Sequence, residues 1–450
     1  MALARSAETV EAAKKKDYPK LMMLAVLHMA QYFPAAFTGT ALPFMFRQQG
    51  LPLEMFWLLA LPGIPRWFKW IMALAVDNNY NKRIGRRKSW IIPCTLVGAG
   101  AYALLAFFPP ELDLVYIIVA ILIFKSFVLA CQDIAVDAYA AEGMQDHERP
   151  VGTSMINLMG AVAGTLGNAT VILVDTFGWA PMMIAASALM LVAAAPAIIK
   201  KEPLPPPAAQ QREARGERPN LWQAISRIDS RYIMLFLFIY GFGAAFFPSM
   251  VGPFLADKGL TLTEYGTFSV IVGVAGSFLA ALVTPWCIER IGSRKTAMIA
   301  IAIVPFEACV YVYWSLNDLP ALPLLIISVA GMSFSTALYN FAVTISRFRW
   351  ASKAQAGTDY AVQSSFWNFG DWAARSLSGV VAGAVGWAIF FPIGAVFAIV
   401  AGLLYILLFD RVENMVRARE EIELQREHAG ETQSEHAANK GRNLQNEKSI

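Results

Sequence analysis

Apolar residues fall in twelve long runs separated by short polar breaks, and this pattern dominates the chain. A helix needs about 20 predominantly apolar residues to cross a bilayer core. Runs of that kind occupy 20–45, 55–76, 89–107, 114–138, 152–175 and 178–199, then 231–255, 266–287, 296–314, 321–344, 356–383 and 386–409. The predicted architecture is an all-α membrane protein with twelve transmembrane helices. Between the sixth and seventh runs lies KKEPLPPPAAQQREARGERPN, from Lys200 to Asn220. It is Pro-rich and charged, cannot bury a core, and reads as a linker. The chain therefore divides into an N-terminus (1–19), a six-helix bundle (20–199), the linker (200–230), a second six-helix bundle (231–410) and a charged tail (411–450). The tail is expected to begin as a surface helix and end as disordered chain.

Lys and Arg set the orientation, because cytoplasmic loops carry the excess of both. With the N-terminus inside, 31 of the 37 basic residues fall in cytoplasmic segments. Only Arg47 and Lys258 fall outside, and four lie within spans: Arg66, Lys69, Lys125 and Arg375. Both termini are expected in the cytoplasm of a bacterial cell, with the spans in its inner membrane. The first run contains His28 and Gln31 and continues past any cleavage site, so it reads as a membrane helix and not a signal peptide. Reporter fusions at Glu111, Asp175 and Asp318 should report the outside, and a linker fusion that did so would overturn this topology.

The two bundles are related. The loop after run 2 reads Arg83-Ile84-Gly85-Arg86-Arg87-Lys88, and the loop after run 8 reads Arg290-Ile291-Gly292-Ser293-Arg294-Lys295, a separation of 207 residues. Pro43-Phe44 followed by Gly50-Leu51 is echoed by Pro253-Phe254 followed by Gly259-Leu260. Two same-sense six-helix repeats are a known transporter plan.

These loops resemble the signature of the major facilitator superfamily, an acid followed by Arg-x-Gly-x-Arg-Arg/Lys. The resemblance implies a cytoplasmic gate built from Arg83, Gly85, Arg86 and Arg87 in one half and Glu289, Arg290, Gly292 and Arg294 in the other. Glu289 takes the acidic slot in the second half. In the first half Lys82 stands there, and Asp77 is the nearest upstream acid. Gln132-Asp133-Ile134-Ala135-Val136-Asp137-Ala138-Tyr139 is similar to a stretch of muropeptide permeases, acetyl-coenzyme A transporters and siderophore permeases. ALPFMFRQQG, from Ala41 to Gly50, and the Leu-Pro-Gly-x-Pro-Arg-Trp-Phe-Lys-Trp of run 2 are more similar to rhizobactin- and pyochelin-type siderophore permeases.

Composition narrows the chemistry. Only 16% of residues are charged and 57% are hydrophobic, against about 25% charged in a soluble domain. The net charge of +4 is spread through short loops, so no nucleic-acid partner is expected. Cys94, Cys131, Cys287 and Cys309 lie in apolar stretches without CxxC spacing, so neither a metal site nor a disulfide framework is expected. HExxH, GxSxG and Walker patterns are absent, so the chain reads as a non-enzyme without a cofactor, driven by an ion gradient.

Ionisable residues at membrane depth are costly and point to function. Arg66 and Lys69 share a face of run 2, beside Pro62 and Pro65. Lys125 lies mid-span in run 4, and Asp371 and Arg375 in run 11 are spaced to pair. With Trp67 and Trp372 they form the candidate substrate site, suited to an anionic ligand; interhelical salt bridging is the structural alternative. Neighbouring aromatics in runs 2, 7 and 11 could stack on a planar ligand or pack against lipid. His28, Asp133 and Asp137 are candidates for carrying a proton, and the two aspartates could instead bind the loop arginines. Gly160/Gly164 and Gly379/Gly383 form GxxxG patterns expected at close helix contacts. Glu307, in a peripheral span, has no evident role. The expected activity is proton-coupled import of a ferric siderophore or similar anionic chelate by a monomer in the lipid bilayer. A muropeptide permease is the alternative, and a non-transporting membrane protein the third reading.

Overall fold

The computed structural model describes residues 17–81, 83–144, 148–200, 202, 221–350 and 356–447, and no strand occurs among them. In the first half, span 1 is α1 (Tyr18–Gln48), started by the Asp17 side chain accepting from the Lys20 amide at 3.1 Å. Span 2 is α2 (Trp57–Ala60), a 3-10 segment (Leu61–Phe68) and α3 (Lys69–Asn78). Spans 3 to 6 are α4 (Lys88–Leu105), α5 (Val115–Gly143), α6 (Arg149–Phe177) and α7 (Trp179–Ile199). The short α8 (Leu221–Ser226) precedes the second half. Span 7 is α9 (Ile228–Phe246) and α10 (Val251–Asp257) around a 3-10 turn. Spans 8 and 9 are α11 (Leu262–Ile301) and α12 (Val304–Leu316), followed by α13 (Leu322–Trp350), α14 (Ala356–Val385) and α15 (Trp387–Glu447).

Nine segments among the described residues are long and apolar enough to cross a membrane. The twelve-span reading adds the broken span 2, α13 and α14. Two of these, span 2 and α14, carry Arg66, Lys69, Asp371 and Arg375, so charge on these helices lowers the hydropathy that identifies the others. Exposed apolar side chains such as Leu96, Phe124, Ile327 and Leu407 suit a lipid-facing surface.

The repeat is visible in the backbone. Six glycines among the described residues have positive φ, and they pair as Gly50 with Gly259, Gly85 with Gly292, and Gly178 with Gly386, 209, 207 and 208 residues apart. Each half turns the chain with a left-handed glycine at corresponding places, because only glycine adopts that conformation without strain. At Gly292 (φ +81°) the turn lies inside α11, where spans 8 and 9 meet.

Among the described residues the halves meet chiefly where α1 packs on α10, α6 on α11, and span 2 on α14. Closely approaching backbones make the last seam. A Cβ at Gly379 would overlap the Leu53 carbonyl oxygen, and one at Gly383 the Glu54 carboxylate. That GxxxG pair is a close contact, as expected. The other is not: Gly164 faces open space, and Gly167 instead brings α6 against Phe33 and Phe37 of α1. Within the second half Gly370 and Gly241 seat α14 on α9, where a Cβ at Gly370 would overlap the Phe238 carbonyl oxygen. Gly370→Val should therefore separate two helices at their crossing. A loss of about 1–3 kcal/mol is expected, read as a lowered melting temperature of the purified chain.

The tail differs from expectation. α15 continues as helix to Glu447. Its proximal part is tied to the second half: Arg294 pairs with Asp410 at 2.5 Å, Arg349 with Glu420 at 2.6 Å, and Arg419 with Asp229 at 2.5 Å. Arg419 also donates to the Trp350 carbonyl at 3.2 Å, satisfying the end of α13.

Candidate substrate and proton site

Span 2 is the unusual element. Pro62 and Pro65 cannot donate to an α-helical ladder, and the chain between them tightens to a 3-10 helix carrying Arg66 and Trp67. α3 then starts at Lys69. The break presents Arg66 and Lys69 toward α5. Lys69 forms an ion pair with Asp133 of α5. Arg66 is exposed, and no carboxylate partner for it occurs among the described residues. It lies within electrostatic reach of Lys69, Lys125, Tyr32 and Tyr102. The structure thus brings Arg66, Lys69 and Lys125 near one another.

Lys125 is the exception in orientation. Its side chain is buried at 6% exposure. Its ammonium donates to the Tyr102 hydroxyl at 3.0 Å and sits 4.9 Å from that ring's centroid. It adds positive charge from behind Tyr102 and does not form an open wall.

The proton candidates also have partners. His28 of α1 is buried at 3% exposure. Its Nδ1 lies 2.8 Å from the Leu24 carbonyl oxygen and its Nε2 lies 3.2 Å from Asp137 Oδ1. A carbonyl only accepts, so Nδ1 carries hydrogen. The second contact then needs either an Nε2–H or a protonated carboxyl. The contact joins a buried imidazole to a carboxyl group of α5. The Asp137 side chain is 63% exposed, which connects the pair to solvent.

Asp133 and Asp137 therefore bind Lys69 and His28, not the loop arginines. Among the described residues the linker supplies an acid at the start of α4. Glu202 accepts from the Arg87 and Lys88 amides at 2.8 and 3.2 Å, capping α4, and a Cβ at Gly85 would overlap its carboxylate. Lys82 is outside the described residues, as is the side chain of Asp77. In the second half Arg294 pairs with Asp410, while Glu289 and Arg290 are exposed, Arg290 lying over the Trp286 ring.

α14 packs against span 2. Asp371 and Arg375 pair along one face at 2.8 and 3.1 Å. Trp372 meets Trp67 edge-on, with centroids 4.2 Å apart, and Trp67 also packs on Phe369 at 4.6 Å. The indole nitrogens of both tryptophans and the Gln31 amide nitrogen are buried without a hydrogen-bond partner. Tyr240, Phe246 and Phe247, among the run 7 aromatics for which the sequence leaves both ligand stacking and packing open, are packed in the core.

Two residues differ from their sequence reading. Arg347, counted with a loop, is buried in α13 between the Tyr360 and Trp367 rings and donates to Ser364 at 2.7 Å. The run of apolar residues ends before α13 does, which hid it. Glu307 gains a structural account: span 9 breaks after Ile301, and Glu307 lies in the first turn of α12, where the helix's positive end favours a carboxylate.

Comparison with known proteins agrees with this architecture. The chain is 23% identical over 399 residues to the anhydromuropeptide permease of Escherichia coli strain K12, covering 87% of this chain and 79% of that protein. A shorter match, 34% identical over 85 residues, joins it to the uncharacterized membrane protein YBR220C of Saccharomyces cerevisiae, covering 18% of this chain and 15% of that one. Among solved structures it superposes on the POT family transporter PepTSo with a TM-score of 0.65 at 12% identity, over 88% of this chain and 98% of that one. The Major Facilitator Superfamily model matches residues 24–348 and 233–440, and the chain is a member of that superfamily: a multi-pass membrane transporter and not an enzyme.

Proposed function

We propose that this protein carries an anionic organic ligand across the bacterial inner membrane by alternating access, driven by protons. One observation carries the reading: Arg66, without a carboxylate partner among the described residues, stands within electrostatic reach of Lys69, which also feels Asp137 of the His28–Asp137 pair, while Lys125 adds its charge from behind Tyr102. An unneutralised guanidinium at membrane depth is costly unless water or an anion meets it. The unpartnered indole and amide donors extend the same preference to a ligand rich in acceptor oxygens.

The two halves are joined at the face assigned to the outside. Arg47 binds Asp257, Gln48 donates to the Leu260 carbonyl at 3.1 Å, and Thr263 donates to Asp175 at 2.6 Å. Phe44 stacks on Tyr265 with centroids 4.2 Å apart. On this reading the molecule is closed at its outer face. Cysteines at Arg47 and Asp257 should then cross-link under oxidation, halting transport until reductant is added. Transport unaffected by a complete cross-link would refute alternating access through this face.

For the ligand, a muropeptide now stands ahead of a ferric siderophore. The relative named as an anhydromuropeptide permease is similar along most of this chain, whereas the siderophore reading rests on ALPFMFRQQG and the motif of span 2. Competition assays decide between them: unlabelled anhydromuropeptide should reduce uptake of labelled anhydromuropeptide, and a ferric siderophore should not.

A further inference from the structure

A groove of about 820 Å³ opens on the outside of the first bundle, between the end of span 2, α4 and α5. It is remote in chemistry from the charged wall, being lined by apolar side chains such as Ile84, Pro93, Val97, Phe124 and Val128. A second hollow of about 400 Å³ shares Val97 and Phe124 and carries the track on to Leu104. From Trp90 to Leu104 the track follows α4 for about 21 Å at 1.5 Å per residue. One leaflet's hydrocarbon is about 15 Å deep, half of the 30 Å core. A fully extended acyl chain of one leaflet therefore fits along it. Small residues leave the room: a Cβ at Gly100 would meet nothing within 4 Å.

The upper end of the groove is polar and basic. Asn79, Tyr80, Asn81 and Ser89 line it. Arg83 stands exposed beside it, its amide held by the Asn81 side chain at 2.9 Å. Arg86 lies over the Tyr80 ring at 5.9 Å. On the Lys and Arg count this end is at the cytoplasmic leaflet, which is where anionic lipids attract clustered Lys and Arg.

We propose that this groove binds an anionic phospholipid, with its phosphate at Arg83 and an acyl chain along Val97 and Phe124. Charge and shape each select: a basic rim for the head, an apolar track of leaflet length for the tail. Because the Arg83 loop is continuous with α4, whose first amides Glu202 holds, lipid bound here would rest against the joint between the linker and the first bundle.

The test uses the full chain, delipidated in neutral detergent, with lipid binding read by native mass spectrometry and thermal melting. Phosphatidylglycerol should bind and raise the melting temperature more than phosphatidylcholine. Arg83→Gln should weaken phosphatidylglycerol about tenfold, the loss of one charge-assisted contact. Val97→Trp, at a position already 42% exposed, should block both lipids without unfolding the protein. Equal effects of the two lipids, an equal effect of inorganic phosphate, or unchanged binding in both variants would overturn the proposal.

Discussion

Replacing Arg66 by Gln is expected to raise the apparent substrate constant for an anionic ligand tenfold or more, with the protein still folded and inserted. Arg66 is exposed, so its loss removes a contact with the ligand and leaves no carboxylate orphaned. One charge-assisted hydrogen bond is worth about 1.5–3 kcal/mol, and 1.4 kcal/mol is tenfold in affinity. Lys69→Gln would not test the same idea, because it strips Asp133 of its partner and mixes binding with stability. Lys125→Gln is a weaker probe for a different reason: its ammonium is buried against Tyr102. Uptake kinetics of Arg66→Gln, beside its melting temperature, check this. An unchanged substrate constant would place Arg66 in the scaffold.

The second large effect concerns protons. His28→Ala or Asp137→Asn removes one member of the imidazole–carboxyl pair proposed above as the proton carrier. Asp137→Asn keeps the shape, and its amide can still donate to Nε2, but the site no longer gains and loses a proton. Each variant should lose accumulation driven by a pH gradient while keeping counterflow exchange, which needs no net proton movement. Asp133→Asn separates this from the neighbouring ion pair: it should impair folding or exchange through Lys69. Loss of both activities in a folded Asp137→Asn would assign the pair to structure.

Much of the fold was legible because a bilayer imposes a coarse rule. Apolar runs of span length need no tertiary information. The repeated RIGxRK loops pointed to a duplication that the paired positive-φ glycines then displayed. The site was only partly legible. Pro62 and Pro65 announced a kink, and the result is a 3-10 segment that ends at Phe68 and sets the angular positions of Arg66 and Lys69. The Lys69–Asp133 and His28–Asp137 pairs depend on the rotation of three helices about their axes, which spacing along one helix does not give. Glu202 reaches the loop from more than a hundred residues away, so its capping role could not be read from the loop. Arg347 lay beyond the apolar run, although its helix continues to Trp350.

The most direct measurement is accumulation of labelled anhydromuropeptide, and separately of a labelled ferric siderophore, in proteoliposomes holding the intact chain under an imposed pH gradient. Concentrative uptake of the muropeptide that collapses with a protonophore is the predicted result. No gradient-driven uptake of either ligand would contradict the account.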